Sequence, residues 1–71
     1  MKVFKFMSAK NDALWAITPD QTAKNLPADL GPWHALGRLE VNPGEMGHGG
    51  ASSDEILDAI NRRGFFMPAQ E

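Results

Sequence analysis

The strongest constraint on this chain lies between Asn42 and Met67, in the segment NPGEMGHGGASSDEILDAINRRGFFM. A proline-glycine turn and a glycine-rich loop run into one well-punctuated helix. Ser52 and Glu55 have the spacing of a capping box, in which the serine hydroxyl takes up a free backbone N–H of the first turn. Asp54 and Glu55 then sit at the positive end of the helix dipole, and Arg62 and Arg63 at the negative end. Gly64 stands where a left-handed residue ends a helix. Ile56, Leu57 and Ile60 make an apolar stripe with Ala59 at its margin, so one side of this helix must lie on a sheet or on another helix.

The rest of the chain offers strands. Lys2 to Met7 alternates, with Phe4 and Phe6 on one face and Val3, Lys5 and Met7 on the other. Ser8 to Asp12 is turn material, because Asn and Asp bond their own main chain. Ala13 to Thr18 is a second strand. Thr18-Pro19-Asp20-Gln21 reads as the start of a short helix, with threonine as cap and proline at the first helical position, closed by Asn25-Leu26-Pro27. Trp33 to Val41 is a third strand, and Gly37 within it suggests a bulge. Asn42-Pro43-Gly44 suits a type II turn. Phe65 to Met67 is a short last strand stopped by Pro68.

These elements predict one α+β domain over residues 1–71. Its order is β-β-α-β-α-β, with a small mixed four-stranded sheet and one short and one longer helix packed mainly on one face. The third and fourth strands, joined across the long helix, are expected to be parallel.

Seventy-one residues offset chain entropy only narrowly with a single core. No cysteine is present, which removes disulfides and thiolate metal sites and suits a reducing compartment. No run of apolar residues approaches the roughly 18 of a membrane span, and MKVFKFMSAK lacks the core of a signal peptide. The expectation is a soluble cytoplasmic protein. The net charge of −2 gives no field that would gather nucleic acid. Charge is unevenly spread: lysines 2, 5, 10 and 24 outnumber the acids of the first third, and acids dominate the remainder.

The glycine loop before the long helix has the setting of a phosphate site, since free N–H groups and the helix dipole point the same way. Gly44 and Gly49 match the opening of a P-loop. Gly50 then replaces its lysine and Ala51 its hydroxyl residue. A dinucleotide fingerprint fails at Ser52. A ligand-binding or catalytic site at Gly44–Gly50 would therefore rest on Gly47, His48, Gly49, Gly50 and Ser52, with His48 as the group able to move a proton. His34 and His48 match no zinc spacing, and no cofactor or metal is expected. No residues have the pattern of a catalytic set.

The segment Ser53 to Phe66, a capped helix running into Arg-Arg-Gly-Phe-Phe, looks like the helix-to-strand junction of the HicA-type toxins, which cleave messenger RNA. The resemblance implies a catalytic histidine after that junction, in a Gly-Ser-His context. Here both histidines precede the helix and the net charge is acidic, so that activity is not carried over.

The preferred expectation is a non-enzymatic protein-interaction or regulatory domain whose partner is another protein or a second copy of itself. It comes from strands that are apolar on both faces: a sheet covered on one side leaves a patch on the other. Val3, Met7, Leu14 and Phe66 are the candidate contact residues.

Overall fold

The computed structural model describes residues 1–45 and 50–68. Three strands form one antiparallel sheet: β1 (Lys2–Ser8), β2 (Trp15–Thr18) and β3 (Trp33–Glu40), in the order β2-β1-β3. One helix, α1 (Ser53–Arg63), follows. The class is α+β, but the expected four-stranded mixed sheet with two helices is wrong in three respects.

First, the segment after Thr18 is a series of turns, with only a single 3-10 turn at Ala28–Leu30. The Thr18 hydroxyl accepts from Asp20 N at 3.1 Å and reaches Asn25 Oδ1 at 2.8 Å, so it closes a tight local loop. The Asp20 carboxylate does the same for Thr22, accepting from its amide at 2.9 Å and its hydroxyl at 2.6 Å. Ala23 takes φ 61°, which no α-helix contains. Asn25, Thr18 and the Gly64 carbonyl then form one polar node, which ties this loop to the end of α1. Between two prolines a helix would have too few bonds to offset its nucleation cost, and side chains that bond locally win.

Second, Phe65 to Met67 does not form a strand parallel to β3. Phe66 alone makes an antiparallel bridge, and it pairs with Ile17 on the outer edge of β2. The two residues exchange both main-chain hydrogen bonds at 2.8 Å. The chain thus leaves the sheet at the β3 edge and returns at the opposite edge, so α1 lies over the sheet between them. The expected parallel relation to β3 is wrong, because nothing local in the sequence says which edge the returning chain will reach or in which direction it will run.

Third, the cover of the sheet does not lie mainly on one face. Ile56, Ala59 and Ile60 of α1 pack with Val3, Ile17, Val41 and Phe66 in a core on one side of the sheet. Ala59 is fully buried and Leu57 only half so, which exchanges their expected places at the centre and margin of the stripe. On the other side Phe6, Ala16, Leu26 and Met67 form a second core, flanked by Phe4, Ala23, Leu30, Trp33 and Phe65. Irregular chain between Pro19 and Trp33 supplies the cover there. It is fastened at several points: the buried Ser8 hydroxyl donates to Leu30 O, Trp33 Nε1 donates to Pro27 O at 2.9 Å, and Ala9 N donates to Pro32 O at 2.9 Å.

Other local readings hold. Ser52 Oγ accepts from Glu55 N at 3.1 Å, and Gly64 ends α1 at φ 92° with its N–H on Ile60 O at 2.7 Å. Asn11 Oδ1 accepts from Ala13 N at 3.0 Å in the β1–β2 loop. Gly44 has φ 80° and Glu45 N donates to Asn42 O, as a type II turn requires. The register of β1 on β3 shifts between Lys5 and Phe6, which leaves Leu36 as the extra residue beside Gly37 at φ 152°. That is the bulge expected at Gly37.

Candidate interaction surface

The two edges of the sheet end differently. At β2 the outward main chain of Ile17 is taken up by Phe66. At β3 no strand lies beyond it among the described residues, and from His34 to Arg38 every residue is exposed. Leu36 is 51% exposed, the most exposed large apolar residue of the described chain. The hydrogen-bond pattern says which β3 residues face outward. Met1 and Val41 exchange both bonds, Met1 N to Val41 O at 2.8 Å and Val41 N to Met1 O at 2.9 Å. Antiparallel pairs alternate between bonded and non-bonded. Leu39 and Gly37 therefore point their main chain inward to β1, and Arg38 and Glu40 point theirs to the open edge.

Side chains follow the same alternation across the sheet. Arg38 lies opposite Phe4 and Glu40 opposite Lys2, on the face away from α1. There the cover from the Pro19–Trp33 connection is incomplete. An open cleft of about 320 Å³ is lined by Phe4, Phe6, Gln21, Ala35, Gly37 and Arg38. A more open depression adjoins it over Lys2, Arg38, Leu39 and Glu40. Arg38 has no ion pair among the described residues, whereas Glu40 lies 3.5 Å from the Met1 ammonium in an exposed contact. The chain leaves a charged rim around an aromatic floor.

Of the four contact residues expected from sequence, Val3 is fully buried and Phe66 is 2% exposed, both in the α1-side core. Their surface is already occupied within the chain. Met7 and Leu14 are half-buried. Met7 lies opposite His34, and the two share the α1 side of the sheet beyond the helix. Nearby, Lys5 Nζ sits 4.6 Å from the Trp15 ring centre, and that ring packs against Phe66 at 6.0 Å. The lysine stem and indole protect this part of the core from water.

Gly47, His48 and Gly49 of the glycine loop lie outside the described residues. Gly50 takes φ 87° and is exposed. Ser52 already caps α1 through its hydroxyl, and the buried Ser53 hydroxyl donates to Glu45 O at 2.9 Å, which ties Glu45 to the helix start. Among the described residues no three His, Cys, Asp or Glu side chains converge as a metal site would need. The Asp20 carboxyl is held below its ordinary range, first by the Thr22 hydroxyl and then by the Thr22 amide. That pair organises a loop and does not line the cleft. No helix of the described residues is long and apolar enough to cross a membrane.

Sequence reasoning did not single out Arg38, Glu40 or Leu36. The alternation of Arg38 and Glu40 around Leu39 was visible, and so was the bulge glycine. Their place on an open edge depends on the strand order.

The chain matches no family model, no curated protein and no solved structure.

Proposed function

We propose that this chain is a small interaction domain that works by pairing with a second copy of itself at the open side of its sheet. The observation that carries the reading is the contrast between the edges: β2 is closed by Phe66, and β3 presents outward N–H and C=O groups at Arg38 and Glu40. An exposed strand edge is a template for strand addition, in which main-chain hydrogen bonds provide affinity and side chains provide selectivity. The incompletely covered cleft over Phe4 and Phe6 adjoins the same strand and adds apolar surface to it. The candidate contact surface therefore moves from Val3 and Phe66 to β3, with Met7 on one flank and Phe4 on the other.

Sedimentation and light scattering from micromolar to millimolar concentration test this reading. The native chain should show reversible association. Arg38→Pro removes an outward N–H that bonds nothing among the described residues, and should leave the fold in place while the protein stays monomeric. A native chain that remains monomeric throughout would overturn the reading.

A further inference from the structure

We infer that two copies join β3 to β3 in one antiparallel register, with Arg38 of each opposite Glu40 of the other and Leu39 opposite Leu39 at the two-fold axis. The inference rests on the self-association proposed above and specifies its geometry.

Three observations select this register. The main chains of Arg38 and Glu40 both face the open edge, so placing one opposite the other makes two bonded pairs, each exchanging N–H and C=O. A one-residue slip would set an outward main chain against an inward one and turn side chains to the wrong face. A two-residue slip would restore the bonding but set Arg38 against Arg38 in one direction and Glu40 against Glu40 in the other. Like charges directly opposite are destabilising. Of the registers near this one, only Arg38 against Glu40 satisfies both main chain and charge.

The side chains then continue a pattern already present in the monomer. Lys2 lies opposite Glu40 and Phe4 opposite Arg38 across β1 and β3. In the pair, the row across the face away from α1 runs Lys2, Glu40, Arg38 of the second copy, Phe4 of the second copy. The signs alternate plus, minus, plus, and the row repeats in reverse about the axis. The Arg38 guanidinium, without an ion pair among the described residues of its own chain, gains a carboxylate partner. The two clefts come to lie on one face of a continuous six-stranded sheet, β2-β1-β3-β3-β1-β2, with both α1 helices on the other. The bulge at Leu36 ends the flat part of β3 on one side and Pro43 ends it on the other, which limits the pairing to the stretch between them.

A charge-exchange experiment tests the register. Arg38→Glu alone sets glutamates against one another twice, and Glu40→Arg alone does so with arginines. Each should weaken self-association about tenfold or more in low salt, because two cross-strand attractions both become repulsions. The double variant R38E/E40R should associate like the native chain. An equimolar mixture of R38E and E40R should form a mixed dimer although neither pairs well alone, a result that partial unfolding of either variant could not imitate. If the native chain associates and the single variants associate equally well, or the mixture fails to rescue, this register is overturned and self-association by another surface stands. If the native chain is monomeric at millimolar concentration, both readings fall.

Discussion

One edge of this sheet is closed at the cost of most of the C-terminal third of the chain, and the other is left open with charged residues on it. At β2, Phe66 contributes two main-chain hydrogen bonds and a buried aromatic ring in the same residue. β3 carries a bulge, an arginine and a glutamate, and no strand lies beyond it among the described residues. Bulges and charges on an edge discourage indiscriminate pairing while leaving room for a selected partner. In so small a domain the closed edge provides stability, and the open edge is the one that the proposed self-association would use.

The largest test of that contrast is Phe66→Ala. It empties a site shared by Val3, Ile17, Ile56 and the Trp15 ring, and should cost about 3 to 5 kcal/mol in denaturant unfolding. A loss below about 1 kcal/mol would mean that the β2 edge is not held by this residue. The same contrast should appear in amide hydrogen exchange of the dilute monomer. Ile17 and Phe66 should be among the protected amides, and Arg38 and Glu40 should exchange near the rate of unstructured chain. Equal protection at the two edges would remove the difference on which the functional reading depends.

Smaller effects concern how the returning segment is held. Gly64→Ala puts a Cβ at φ 92° and 3.0 Å from Asn25 Nδ2, and it should destabilise by about 1 kcal/mol or slightly more. Ser52→Ala removes the N-cap bond to Glu55 and should cost about 1 kcal/mol. Both are read from thermal or denaturant midpoints, and both should leave the β3 edge amides unchanged. The smallest effect is in acid. Because the folded state depresses the Asp20 carboxyl through Thr22, that carboxylate stabilises the fold above its unfolded pKa of about 4. The contribution is lost as pH falls through the lower, folded value. Asp20→Asn should flatten this part of the acid limb, and an unaltered limb would show that the loop is organised without the charge.

What could be read from the sequence is what depends on residues close together along it. Ser52 and Gly64 bound α1 because the atoms that cap it lie within four residues of the groups they satisfy. Asn11 and the Pro43-Gly44 pair marked turns for the same reason, and Gly37 marked the bulge because few side chains tolerate φ 152°. Thr18-Pro19-Asp20-Gln21 misled because its cap chemistry is real but is used otherwise. The Thr18 hydroxyl bonds Asp20 N and Asn25, and Asn25 in turn reaches the Gly64 carbonyl far along the chain.

The proposed contact surface was legible only as a class. Apolar residues on both faces of the strands implied that something must cover each. Val3 and Phe66 proved to be covered from within, by α1, and the second face by irregular chain. Arg38 and Glu40 carried no mark of their own, since an alternating charged pair on a strand is ordinary wherever one face meets water.

The sequence by itself determined a capped helix, the turns, the bulge and three segments able to form strands, because propensity, capping and φ requirements are local. Tertiary structure alone decided that β1 is central, that Phe66 returns beside Ile17, and that β3 is left at the edge. Those outcomes turn on which distant apolar groups pack best on α1 and on where the crossover can reach. That energy is shared among residues from one end of the described chain to the other, and no single stretch encodes it.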